Sequence, residues 1–382
     1  MSTPSDPHTS LRAELADCKR VVVKVGSSLL TDLEHGLDED KIIAYSADLA
    51  ALKRMGHEVV LVSSGAVAEG CVRLGWRARP ESIHRLQAAA AVGQMGLVQA
   101  YESALAAHQC RAAMVMLTHD DLANRQRYLN ARSTLTQLLS LSVVPVINEN
   151  DTVATDEIRF GDNDTLAALV ANLLEADLLV ILTDVEGLMD KDPRVHGDAR
   201  LVDQAHSNAA ELDQLPGQNA GALGRGGMVT KLRAARLAAR SGAHTVIANG
   251  SRKDVIRDVV AGRHVGTLLT AEMTPLTARK RWIAGQLRAS GTLVVDDGAA
   301  AAILNNGVSL LAVGVVEVEG DFLRGDVVRI RDAAGRQVAQ GLSNYSAAEI
   351  ASIRGLKSDA FVEQIGYAGE PELVHRDNLV VI

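Results

Sequence analysis

The stretch VVVKVGSSLLTD, residues 21–32, decides how the chain folds. Four valines around Lys24 make a short β-branched run, and Gly26, Ser27 and Ser28 end it. Similar runs recur at 59–62, 114–117, 143–147, 178–182 and 245–248. Between several of them lie helical patterns at 41–55, 83–107 and 230–241, and Gly56 and Gly242 stand at C-terminal stop positions. Strands alternating with helices predict an α/β fold, a mostly parallel sheet sandwiched by helices. Ligands of such sheets gather beyond the carboxyl ends of the strands, so the residues that follow each strand carry the functional information.

A chain of 382 residues exceeds the usual size of one core, which predicts two domains. Hydrophobic residues make up 47% and charged residues 23%, the balance of an ordinary globular protein. Aromatics at 3% and a net charge of −8 argue against a protein that grips nucleic acid by stacking or bulk charge. Cys18, Cys71 and Cys110 show no C-x-x-C spacing, which predicts a reducing compartment and no zinc. With no signal-like start and no membrane-length apolar run, the chain reads as cytoplasmic. Residues 1–18 read as a flexible tail, 19–270 as the α/β domain and 271–289, with PLTARKRWIAG, as a linker. Residues 290–382 read as a small β-rich domain with turn signals at Asp297-Gly298 and Glu319-Gly320. Its seven basic residues face thirteen acidic ones, a poor composition for binding RNA.

Taken alone, Lys24 reads as an edge-strand lysine whose head snorkels to water. With Gly26, Ser27 and Ser28 after it, a phosphate held by the ammonium and the nearby backbone becomes the better reading. Ser63, Ser64, Gly65 and Ala66 form a second strand-to-helix turn, either an anion site or a tight packing turn. From Asn148 to Asp164 the chain carries Asn148, Glu149, Asn150, Asp151, Asp156, Glu157, Asp162, Asn163 and Asp164. Asp162-Asn163-Asp164 lacks the D-x-[DN]-x-[DN]-G pattern of a calcium loop, and the amide-carboxylate mixture suits an amino acid. FGDNDTLAALVANLLEA, residues 160–176, then continues at helical spacing through Leu166, Leu169, Val170, Leu173 and Leu174. Thr183 and Asp184 end another strand. In GRGGMVTKLRAA, Lys231 sits in the first turn of a helix, where a cation opposes the helix dipole until an anion binds. No G-x-x-x-x-G-K-[ST], G-x-G-x-x-G opening a helix, H-E-x-x-H or G-x-S-x-G occurs. Two lysines and an aspartate suit phosphoryl transfer, and a carboxylate acceptor is already ionised and needs no base.

VVVKVGSSLL, SSGAVAEG, QAAAAVGQMGL, VVPVINENDTVATDEIRFGDND, LLVILTDVEGLMDKDPR and GGMVTKLRAA together resemble the amino acid kinase family, in order from about residue 19 to 270. The resemblance is to the members that phosphorylate the γ-carboxylate of L-glutamate, and about 290 to 367 resembles a PUA domain. It implies Lys24, Asp164 and Lys231 as catalytic, the aspartate orienting both lysines. It implies nucleotide contacts at Lys24, Gly26, Ser27, Thr183, Asp184, Arg225, Gly226, Gly227, Met228, Val229, Thr230 and Lys231. Ser64, Gly65, Asp151 and Asn163 would bind glutamate, and Asp162 would cap the helix. ATP, Mg²⁺ carried on its phosphates, a homo-oligomer and a γ-glutamyl phosphate reductase as functional partner are also implied. Arg225 stands where related chains carry a small residue. Members acting on N-acetylglutamate, aspartate, carbamate or a nucleotide are the closest alternatives.

Overall fold

The computed structural model describes residues 11–32, 35–154, 163–193, 195–215, 227–274, 277, 289–367 and 369–382. They fall into two compact units, one holding residues up to 274 apart from 125–129, the other holding 125–129 with residues from 277 on.

The first unit is built on an eight-stranded sheet. Its strands are β1 (Arg20–Val25), β2 (Glu58–Ser63), β3 (Arg111–Leu117), β4 (Val143–Glu149), β5 (Leu178–Thr183), β6 (Gln204–His206), β7 (His244–Asn249) and β8 (Thr267–Thr270), in spatial order β3-β4-β2-β1-β5-β7-β8-β6. All neighbours are parallel except β7 and β8. The valines of β1 are buried on both faces, which is why the strand reads as an unbroken apolar run. β1 is central: Lys24 pairs with Val62 on one side and Ile181 on the other. The edge-strand reading of this lysine is therefore overturned.

Helices cover the sheet: α1 (Glu39–Arg54), α2 (Ala66–Arg73), α3 (Ile83–Ala106), α4 (Asn163–Leu174) and α5 (Met228–Ala239). Asp38 caps α1 by accepting from the Lys41 amide at 3.0 Å. In α4, Leu166, Val170, Leu173 and Leu174 are buried as their spacing predicts, and Ala167, Ala168 and Ala171 are buried too. Each large side chain so placed contributes about 1.5–3 kcal/mol of burial. The alanine-rich α3 does more than fill the interior, because its backbone touches that of α2. A Cβ on Gly93 would lie 1.9 Å from the Ala66 carbonyl oxygen, and one on Gly70 would lie 1.7 Å from that of Ala89. Glycine is what permits this approach.

Residues 11–18 are held, unlike the flexible tail that the sequence suggests for 1–18. Arg12 is 1% exposed and donates to the Asp203 carboxylate and to the carbonyls of Asp203, Arg263, Val265 and Gly266.

The second unit holds a five-stranded sheet of β9 (Gly291–Val295), β10 (Val315–Gly320), β11 (Val327–Asp332), β12 (Gln337–Leu342) and β13 (Leu379–Val381), ordered β10-β9-β11-β12-β13. Leu293, Val295, Phe322, Val328, Ile330, Val338 and Phe361 form its core. Gly320 turns the chain with φ 89°, but Asp297-Gly298 is not a hairpin turn. Asp296 accepts from the Ala299 amide at 2.7 Å and caps the helix Asp297–Asn306, so the acidic pair marks a helix start.

Candidate active site

Lys24, one residue before the end of β1, points into a cluster closed by α4 and α5. Its Nζ lies 2.7 Å from Asp164 Oδ1, and Lys231 Nζ lies 3.1 Å from Asp164 Oδ2. Thr230 Oγ1 donates to Oδ2 at 2.7 Å. Exposures are 6% for Lys24, 2% for Asp164 and 4% for Lys231. Burial by itself would raise the Asp164 pKa. Attraction to Lys24 and Lys231, with hydrogen bonds from Lys24 and Thr230, overcomes it and holds the carboxyl at about 2. Burial pushes Lys231 below the ordinary lysine value, against the pull of Asp164, and the neighbouring charge of Lys24 adds to the depression. Within the Lys24–Asp164–Lys231 cluster itself, two cations meet one carboxylate, in a chain of net charge −8. Such an arrangement favours an incoming anion.

Two glycines flank the cluster. A Cβ on Gly26 would sit in ordinary contact 3.5 Å from Lys24 Nζ, which places this glycine beside the ammonium. Gly227 precedes α5, and a Cβ there would meet nothing within 4 Å. Met228, Val229 and Thr230 form the first turn of α5, where no side chain of Gly227 caps the helix and the Thr230 N–H donates to the Gly227 carbonyl at 3.2 Å. Ser27 begins a one-turn helix after Gly26. Thr183 donates to Asp184 at 3.1 Å at the carboxyl end of β5, with Asp184 exposed.

One residue before Asp164, Asn163 faces other partners. Its Nδ2 donates to the Ser63 carbonyl at 3.1 Å and to Ser64 Oγ at 2.7 Å, and lies 3.2 Å from Asn148 Oδ1. Gly65, with φ 112°, turns the chain from β2 into α2, and a Cβ there would lie 2.9 Å from Thr31 Cγ2. Asp151 lies half-buried in the turn after β4. The structure thus joins Lys24, Asp164, Thr230 and Lys231 in one cluster and Ser64 with Asn163 in another, linked through the start of α4. Asp162, Arg225 and Gly226 lie outside the described residues. Sequence reasoning left out Gln94 and gave Asn148 no role, although both are buried polar residues of this region. The polar run after β4 pointed to Asn148, but nothing local pointed to Gln94.

Residues 19–249 match the amino acid kinase family, and residues 291–364 match the PUA domain. A match over more than half of the chain makes it a member of the amino acid kinase class. The glutamate 5-kinase of Thioalkalivibrio sulfidiphilus is 58% identical over 374 residues, covering 98% of this chain and 100% of its own. That of Pseudomonas syringae pv. tomato is 58% identical over 372 residues, covering 97% and 100%. This chain belongs to the glutamate 5-kinase branch of the amino acid kinase family. Among solved structures, the UMP kinase from Bacillus anthracis aligns with a TM-score of 0.47 and 16% identity, over 67% of this chain and 97% of its own.

Proposed function

We propose that the chain transfers the γ-phosphoryl group of ATP to the γ-carboxylate of L-glutamate, giving γ-glutamyl phosphate and ADP in the first step towards proline. The observation that carries this reading is the start of α4, where Asn163 and Asp164 serve two adjoining clusters. A glutamate carboxylate oxygen attacks the γ-phosphorus as the bond to the β-γ bridging oxygen breaks, and that oxygen leaves with ADP. Lys24 and Lys231 offset charge on the phosphoryl group in flight, and Asp164 fixes the distance between them. The acceptor is ionised near neutral pH, so no general base is required.

Gly26, Ser27, Thr183, Asp184 and the segment from Arg225 to Lys231 contact the nucleotide in this reading. Ser64, Gly65, Asp151 and Asn163 hold glutamate. Mg²⁺ is carried on the phosphates in this reading. Bound there, Mg²⁺ would neutralise phosphate charge. The same reading assigns 19–270 to catalysis, 271–289 to a linker and 290–382 to the PUA-like domain in a structural or regulatory role. It also includes a homo-oligomer and hand-off of the labile acyl phosphate to a γ-glutamyl phosphate reductase. No helix of the described residues is long and apolar enough to cross a membrane, in keeping with a cytoplasmic setting.

The test is ADP release with ATP, Mg²⁺ and L-glutamate, with hydroxylamine trapping the acyl phosphate as a hydroxamate. Hydroxamate that forms with glutamate but not with aspartate or N-acetylglutamate is expected. ADP without hydroxamate would overturn the carboxylate acceptor.

A further inference from the structure

The motif QAAAAVGQMGL contributes a buried amide to the substrate side of the site. Gln94, on α3, accepts from Asn148 Nδ2 through its Oε1 at 2.8 Å. Asn148 Oδ1 accepts the Glu149 backbone N–H at 2.9 Å and lies 3.2 Å from Asn163 Nδ2. Asn163 Nδ2 donates in turn to the Ser63 carbonyl and Ser64 Oγ. Gln94 is 8% exposed and Asn148 2%, so neither amide can trade these partners freely for water.

The direction of this relay is chemically fixed at both ends. A backbone N–H only donates, so Glu149 holds the Asn148 oxygen towards itself. A backbone carbonyl only accepts, so Ser63 holds the Asn163 NH₂ group. The Asn148 NH₂ group must then face α3, where Gln94 supplies its acceptor. The Gln94 NH₂ group rests on Met114 Sδ at 3.3 Å, a weak acceptor that would not compete for the other orientation. At the far end, Asn163 Oδ1 takes no hydrogen bond among the described residues, which leaves it free to accept from an ammonium group. The same helix also braces the loop opposite: Gly93 abuts the Ala66 carbonyl, and Tyr101 accepts from Ser63 Oγ at 3.1 Å.

We propose that Gln94 is a positioning residue for glutamate: by accepting from Asn148 it keeps the Asn148 oxygen turned towards Asn163, and so secures the orientation in which Asn163 meets the substrate. This rests on glutamate being the acceptor. Without that acceptor, Asn148 buries an unpaired NH₂ group unless it rotates, and rotation breaks its bond to Glu149 and turns its NH₂ towards that of Asn163.

The test compares Gln94→Met, which keeps volume but not the acceptor, with Gln94→Glu, which keeps the acceptor, in the hydroxamate assay. Gln94→Met is expected to raise KM for glutamate about tenfold, the scale of one lost buried hydrogen bond. KM for ATP should stay within about twofold, and Gln94→Glu should recover most of the glutamate effect, because a carboxyl oxygen still accepts. A merely structural role would move both KM values together. That result, or a Gln94→Met chain with unchanged KM for glutamate, overturns the proposal. If circular dichroism shows Gln94→Met unfolded, Gln94→Asn, one methylene too short to reach Asn148, is held to the same split. Silence of the unaltered chain with glutamate would instead remove the functional reading itself.

Discussion

Replacing Asp164 with asparagine removes one charge and almost no volume, which isolates the electrostatic role of the cluster. In the native chain the carboxylate lies 2.7 Å from one ammonium and 3.1 Å from the other. Its pKa of about 2 against the ordinary 3.8 corresponds to roughly 2 kcal/mol in favour of the ionised form, net of burial. The variant loses more than this, because two nearly buried ammonium groups then repel each other without the carboxylate that lies between them. Removing one partner of a buried ion pair costs about 3–5 kcal/mol. The variant can limit that loss by releasing a proton from one lysine, so about 3 kcal/mol at pH 7 is expected. The sign with pH follows. The stranded lysine has a folded pKa below its unfolded value of about 10.4, so the unfolded chain binds more protons between the two. The variant should therefore regain stability as pH rises through that window. Urea unfolding of both chains at several pH values between 7 and 10 measures it, and the hydroxamate assay should show kcat reduced by about 10²–10³. Equal urea midpoints at pH 7, with equal pH slopes above it, would refute the idea that Asp164 holds the two charges together.

In acid the native chain should lose an increment of about 2 kcal/mol that Asp164→Asn never had: it is complete above pH ~4 and disappears as pH falls through about 2. Thermal unfolding of both chains from pH 5 to 2 reads that convergence. Gly93→Ala would set a methyl 1.9 Å from the Ala66 carbonyl oxygen. Forcing α2 from α3 should cost about 1–3 kcal/mol and raise KM for glutamate, since the Ser64–Gly65 turn leads directly into α2. An unchanged Tm would mean that the helices are not in backbone contact. Arg12→Met should cost about 3 kcal/mol in urea unfolding, because several carbonyls lose a shared donor at once. No change there would return residues 11–18 to the status of a tail.

The central strands were legible because burial on both faces turns each into a continuous apolar run, as in Val21–Val25 and Leu178–Leu182. β6 and β8 were not, since Gln204–His206 has three residues, all half-buried, and Thr267–Thr270 only four. The helix Arg125–Ser140 was also passed over, because polar residues interrupt any apolar stripe in RQRYLNARSTLTQLLS. Lys24, Asp164 and Lys231 stood out as charged groups amid apolar or glycine-rich segments, where a charge needs a reason. Gln94 offered no such contrast: a glutamine in a helix is ordinary, and its partner Asn148 lies 54 residues away. Asp297 misled for the opposite reason, as Asp-Gly is a turn signal that also suits the first turn of a helix.

The lysine–aspartate cluster also bears on time. Its members come from β1, α4 and α5, and the Asp164–Lys231 contact alone spans 67 residues of chain. Contacts so distant in sequence, closed across a parallel sheet, are costly to form before the sheet exists. The lysines are therefore stripped of water towards the end of folding, and a phosphate bound there would recognise only the folded molecule. Bound nucleotide would thus leave the folding rate nearly untouched while slowing unfolding. The persistence of a folded molecule against proteolysis then follows the supply of its own substrate.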